Sequence, residues 1–171
     1  TGIITGVDFN STSGWLNNKL LLPSGGAINF DYAPLANEAT DTGKTIEFEF
    51  APSNVSNDDT ILCDLQDTNG TGIMITASKA SIRSSGGSEV SVRYKPEEQL
   101  RISFVINKTS GVTNKCLAFI YVNGIVSAAV NFADTDSFIC EKELIMQATE
   151  SAEILLKQIR IHNTALSSDQ I

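Results

Sequence analysis

The residues best spaced for hydrolytic chemistry are Glu47 and Glu49. They alternate with Phe48 and Phe50 in the stretch Thr45 to Phe50, so in a strand they share one face. Two positions at about 3.3 Å each put their side chains roughly 7 Å apart, a separation an inverting glycosidase pair can use. The set is incomplete. Ala51 and Pro52 follow where a third carboxylate would be needed, and no aromatic residue alternates with the pair on that face. A solvated outer sheet face explains both carboxylates more simply. His162, the single histidine, has the chemistry of a general base or a metal ligand. No Ser or Cys nucleophile motif lies near it, which favours a packing or hydrogen-bonding role. Ser84-Ser85-Gly86-Gly87-Ser88 is rich in glycine but leads into a strand, whereas anion-binding loops lead into helices.

Asn57-Asp58-Asp59 and Asp64, with Asp67 and Asn69 nearby, offer oxygen ligands for a calcium ion. The metal candidates are Asp58, Asp59, Asp67 and Asn69. Their spacing fits no defined calcium loop, and Asp and Asn also form turns by bonding their own backbone. Trp15 is the only tryptophan. Exposed, it would stack on the apolar face of a sugar ring. Beside Gly14 and before Leu16, it would plug the end of a sandwich, and the plug is the favoured reading. Tyr32 and Tyr94 pose the same choice, again with a structural role favoured. If the domain takes a ligand, the candidate residues are Trp15, Tyr32, Tyr94, Glu47 and Glu49.

The elements that must position these residues are strands. Ile46, Phe48 and Phe50 share one face, and Leu100, Ile102, Phe104 and Ile106 share another. From Lys115 to Val122 both faces are apolar, which predicts a central strand. Asn123-Gly124 then supplies the positive φ angles of a type I′ turn, with a partner strand over Ile125 to Val130. Further strands are predicted at Gly2 to Phe9, Lys19 to Leu22, Ala27 to Phe30, Thr60 to Leu65, Gly72 to Thr76, Lys79 to Arg83, Glu89 to Tyr94, Glu143 to Ala148 and Ile154 to Ile161. About a dozen short strands separated by Gly, Pro, Asn, Asp and Ser predict one all-β domain over residues 1–171, a sandwich or jelly roll of two antiparallel sheets. The end differs: Ser167-Ser168-Asp169-Gln170 reads as a capping box that starts a short helix.

Composition narrows the partners. Of the 171 residues, 42% are apolar and 19% charged, which is globular and not disordered. A net charge of −8 with scattered Lys and Arg repels a polyanion, so no nucleic-acid partner is expected. The longest apolar runs, such as Leu20-Leu21-Leu22, are too short for membrane insertion. Cys63, Cys116 and Cys140 are an odd number beside apolar residues, so they read as reduced, buried hydrophobes. Sequons at Asn10, Asn54, Asn69 and Asn107 carry little weight in an Asn- and Thr-rich chain. Thr1 is not an initiator Met and Ile171 follows directly on a helix signal, so the sequence reads as an excised segment of a longer protein.

Three segments resemble the concanavalin A-like lectin/glucanase superfamily, in its laminin G-like branch. They are the closing Gln158-Ile159-Arg160-Ile161-His162-Asn163-Thr164-Ala165-Leu166-Ser167-Ser168-Asp169-Gln170-Ile171, the hairpin Phe119-Ile120-Tyr121-Val122-Asn123-Gly124-Ile125, and the early strand Gly43-Lys44-Thr45-Ile46-Glu47-Phe48-Glu49-Phe50. His162 stands where such domains carry Tyr or Trp. With Asp8-Phe9-Asn10 and Gly14-Trp15, the pattern looks most like laminin G-like modules of bacteriophage tail and structural proteins. The resemblance implies a concanavalin A-like sandwich, with calcium as a frequent ligand at a sheet rim. It also implies a setting in a virion, or outside the cell at its surface. Glucanases of this fold place Glu-x-Asp-x-(x)-Glu on one strand, and Glu47-Phe48-Glu49 lacks the Asp. The expected function is therefore non-catalytic carbohydrate recognition within a larger protein, with a cell-surface glycan or neighbouring structural proteins as partner. The alternatives are a structural or protein-interaction module without a sugar ligand and, less favoured, a polysaccharide hydrolase.

Overall fold

The computed structural model describes residues 3–7, 14–36, 43–96, 98–108, 116–132 and 136–171, with backbone alone for Leu16, Lys108 and Cys116. The expectations for Gly2, Asp8-Phe9-Asn10, Lys115 and the Cys116 thiol lie outside the described residues. The fold is an all-β sandwich. The strands are β1 (Ile3–Thr5), β2 (Gly14–Leu16), β3 (Lys19–Leu22), β4 (Ala27–Asn29), β5 (Lys44–Ser53), β6 (Ile61–Gln66), β7 (Gly72–Thr76), β8 (Lys79–Arg83), β9 (Glu89–Arg93), β10 (Leu100–Lys108), β11 (Cys116–Val122), β12 (Ile125–Phe132), β13 (Ile145–Gln147) and β14 (Glu153–His162). One layer is a seven-stranded antiparallel sheet ordered β12-β11-β10-β5-β14-β3-β2. The other layer is two sheets side by side, β6-β7-β8-β9 and β1-β4-β13, where β13 packs beside β6.

Period-two alternation becomes burial as expected. Ile46, Phe48 and Phe50 on β5 and Leu100, Ile102 and Phe104 on β10 all point into the core. Leu65, Ile73 and Ile82 meet them from the four-stranded sheet. Phe48 and Phe104 pack edge to face, with centroids 6.2 Å apart at 88°. The Asn123-Gly124 turn forms with both φ angles positive. β11 lies second from the sheet edge, between β10 and β12, and not at the centre. Ala118 and Ile120 fill its core face, while Leu117 and Phe119 are half-buried on the other. The central strand of seven is β5, which takes part in two ladders at once.

Two local expectations need correction. β2 is an additional strand, turned onto β3 by Asn17 and Asn18, both at positive φ. At the end, a single turn replaces the helix. Gln170 Oε1 does accept from the Ser167 amide at 3.0 Å, one half of a capping box, but the Ser167 hydroxyl donates to the same oxygen at 3.1 Å instead of accepting from the Gln170 amide. The Gln170 amide donates to the Ser167 carbonyl at 3.0 Å, an i to i+3 bond that closes this turn.

Cys63 and Cys140 are buried and unpaired. Burial, reinforced by the Asp64 charge, pushes the Cys63 thiol far above its ordinary value. Native protein is therefore expected to leave Cys63 and Cys140 unlabelled by a thiol reagent on the timescale on which unfolded protein reacts completely. Prompt native labelling of either residue, read by peptide mass spectrometry, would contradict this packing.

Candidate binding site

The register of the seven-stranded sheet builds a charged network on its outward face. β5 pairs with β10 on one side and β14 on the other, which places Ser103, Glu47 and Arg160 in one row and Arg101, Glu49 and Gln158 in the next. Glu47 Oε1 accepts from Arg101 Nη2 at 2.6 Å, Arg101 Nε at 3.2 Å and Ser103 Oγ at 3.4 Å. Its Oε2 lies 3.0 Å from His162 Nε2 and 3.8 Å from Arg160 Nη1. Glu47 is only 4% exposed, so the expected solvated face is corrected at this residue. It is buried because the sheet brings three long cationic or aromatic side chains over it. Burial by itself would raise the carboxyl pKa. Hydrogen bonds from Arg101 and His162 and the charges of Arg101 and Arg160 outweigh burial and hold it below its ordinary value.

Glu49 is handled in the same way by its neighbours on β14. Its oxygens take Lys157 Nζ at 2.6 Å and the Gln158 side-chain amide. Burial by itself would raise its carboxyl pKa, but the hydrogen bonds from Lys157 and Gln158 and the charges of Lys157 and Arg101 together hold it below its ordinary value. Neither carboxyl is poised to carry a proton, as a general acid must. His162 takes the hydrogen-bonding role, with Glu47 as its partner. Beyond it the chain turns back over the face, where Thr45 Oγ1 donates to the Thr164 carbonyl and accepts from the Leu166 amide, both at 2.9 Å.

Trp15 lies elsewhere and is not a plug. It pairs with Leu20, which pairs with Leu156, so it continues the inward-facing row of the sheet. Among the described residues β2 is the outermost strand of this sheet, and Trp15 is 65% exposed. The ring borders a cleft of about 160 Å³ where the two layers part. Leu20, Ile28, Phe30, Leu156 and Ile159 form its apolar wall, and Lys157 and Gln158 its polar rim. Lys157 is the extra residue of a bulge between Leu156 and Gln158. The cleft therefore touches the Glu49 network through its rim. Sequence reasoning found Trp15 and missed Lys157 and Gln158, because only the bulge brings both to that rim.

The remaining candidates do not join this site. Tyr94 follows β9 in the other layer, and its hydroxyl donates to the Thr76 and Lys79 carbonyls. Burial pushes its pKa far up. It clamps the turn between β7 and β8. Tyr32 is exposed beyond the end of β4, with its carbonyl accepting from the Leu144 amide at 2.8 Å. The oxygen ligands are separated by β6: Asp58 and Asp59 precede it, while Asp67 and Asn69 follow it. Six residues at 3.3 Å put the two pairs about 20 Å apart, so one calcium ion cannot join them. Asp67 Oδ1 instead accepts from the Asn69 and Thr71 amides at 2.8 Å, and the Thr71 bond leads the effects that hold its carboxyl low. Among the described residues no three His, Cys, Asp or Glu group to hold a metal. A wider cleft of about 570 Å³ lies beside Asp64, Lys142 and Glu143, where Lys142 bonds Asp64 at 2.7 Å.

Glu47→Gln is expected to destabilise the fold by about 2–3 kcal/mol near neutral pH, because Arg101 keeps its partial burial and loses its counter-charge. Since the folded carboxyl titrates below its unfolded value of 4.5, its contribution is complete above that value and fades as pH falls through the folded one. Urea unfolding across the acid range should therefore show a pH-dependent loss in the parent that is reduced in the variant. Equal midpoints at neutral pH would refute the role assigned to Glu47.

No family model matches the sequence, and no curated protein does. Solved structures do share the architecture. The binding domain of botulinum neurotoxin DC in complex with rat synaptotagmin II superposes with a TM-score of 0.68 at 14% identity, over 99% of this chain and 45% of that one. The serotype D ligand-binding domain in complex with N-acetylneuraminic acid gives 0.66 at 12% identity, over 98% and 44%. The neurotoxin DC domain in complex with SialylT gives 0.67 at 12%, over 99% and 44%. The chain thus spans under half the length of these relatives in structure, and at this identity what it shares with them is the β-sandwich fold.

Proposed function

We propose that this domain is a non-catalytic recognition module that binds carbohydrate through the Trp15 cleft. The observation that carries the reading is the exposed indole beside a small cleft walled by Leu20, Ile28, Phe30, Leu156 and Ile159. Sugars offer an apolar ring face, which an exposed indole complements by stacking. The structural neighbours lend support, since two were solved with N-acetylneuraminic acid or SialylT. The resemblance to laminin G-like phage modules supports a place in a virion or at a cell surface, as part of a larger protein. The ion-paired, low-pKa state of Glu47 and Glu49 supports the absence of glycosidase chemistry. A protein-interaction role is the second reading. It is favoured by Ile125 and Val126, exposed together at the β11–β12 hairpin tip, and by the neighbour solved with synaptotagmin II.

Because Trp15 is the only tryptophan, its fluorescence reports on this cleft alone. A glycan array on the domain should identify sugar ligands, and titration with a hit should change the Trp15 emission. Trp15→Ala should weaken that ligand about tenfold, the loss of one stacking contact. An array without hits, or unchanged affinity in the variant, would reject the reading.

On hydrolysis, the parent is expected to release no reducing sugar from a panel of β-glucans. Release that disappears in the Glu47→Gln, Glu49→Gln double variant would overturn the non-enzyme assignment.

A further inference from the structure

We infer that the outward face of the seven-stranded sheet carries a second site, centred on Arg160, that takes the carboxylate of an acidic sugar. Only the sugar in this inference rests on the carbohydrate reading above; the anion site itself rests on the network's geometry. Glu47 and Glu49 are two carboxylates facing three fixed cations, Arg101, Arg160 and Lys157. Among the described residues of this network one positive charge is left over, in a chain whose net charge is −8. The surplus is local. Arg101 spends two N–H donors on Glu47 Oε1, and Lys157 is bonded to Glu49. Arg160 is different. It sits directly across from Glu47 in the β5–β14 register, yet approaches no closer than 3.8 Å, beyond hydrogen-bonding distance. Its side chain is 47% exposed, and no hydrogen bond from its guanidinium to another described residue is present.

Glu47 cannot absorb this surplus further. Its Oε1 already accepts from Arg101 and Ser103, and its Oε2 faces His162. The guanidinium therefore stays about half exposed, beside a carboxylate that fixes the surrounding side chains. A planar fork of this kind suits a carboxylate with two parallel N–H bonds. A single excess charge matches a monoanion better than a doubly charged phosphate. His162, two residues along the same face and half-exposed, stands beside the position such a ligand would take.

His162 is the only histidine, so its ring signals in a proton NMR spectrum are a reporter for this face. Methyl glucuronide, an acidic sugar, and methyl glucoside, its neutral counterpart, are titrated into the whole chain at constant pH and ionic strength. The glucuronide is expected to shift the His162 signals saturably, and the glucoside to leave them in place. Arg160→Gln should weaken the glucuronide response at least about tenfold, the worth of one charge-assisted pair. Lys95→Gln removes an equal charge from an exposed residue elsewhere and should leave the response intact. Glucuronide without effect on His162, an equal effect in Arg160→Gln, or an equal effect from the glucoside would each overturn the inference. Sodium sulfate acting as strongly as the glucuronide would overturn its selectivity for a carboxylate. Trp15 emission separates the two sites. If it answers the array hit while His162 ignores the glucuronide, the anion site fails and the carbohydrate reading stands. If His162 answers while Trp15 responds to no sugar, the anion site stands and the cleft fails.

Discussion

The organising contact of this domain is the carboxylate of Glu47. It sits on the central strand of seven, on the face away from the hydrophobic core, and yet is almost fully buried. A buried carboxylate is costly unless charge and hydrogen bonds compensate it. Here the compensation comes from β10 through Arg101 and Ser103 and from β14 through Arg160 and His162. One side chain thus ties three strands together on the face away from the core. The opposite side of the same strand carries Ile46, Phe48 and Phe50, which hold the two layers. β5 therefore serves as keel for both faces.

This arrangement decides what the carboxylates can do. A pair on one strand face is the raw material of a glycosidase. Catalysis needs one carboxyl that keeps its proton in a sheltered site. The shelter exists at Glu47, but it is lined with cations, which favours the ionised form. The same cations, beyond what the carboxylates neutralise, leave the face receptive to an anion.

The two candidate ligand regions are joined by the bulge at Lys157. An extra residue there breaks the regular alternation of β14 between Leu156 and Gln158. Lys157 and Gln158 rim the Trp15 cleft while their side chains bond Glu49 on the outward face. An aromatic platform at the lateral opening and a charged patch on the sheet face are in this way parts of one continuous border. A ligand of more than one sugar ring would have distinct chemistry available along it.

Much of the fold is a local matter. Alternation in β5 and β10 names the residues of the core because the side-chain period of a strand is two, whatever lies beside it. Asn123-Gly124 makes its hairpin because those residues tolerate positive φ. β2 escaped notice because three residues carry too little periodicity, although Asn17-Asn18 held the same turn signal in weaker form. The site was legible only in its parts. Glu47 is 54 residues from Arg101 and 115 from His162, and no spacing rule connects them. Whether Trp15 packs or faces solvent depends on where β2 sits in the sheet, and whether six oxygen ligands converge depends on the length of β6. Sequence by itself determined the strands, their inward faces and the residue types available for binding, because these follow from local periodicity and backbone preference. Which carboxylate is buried, which cation is left over and which aromatic is exposed were decided by tertiary structure, because burial and charge pairing arise only when register sets distant strands side by side.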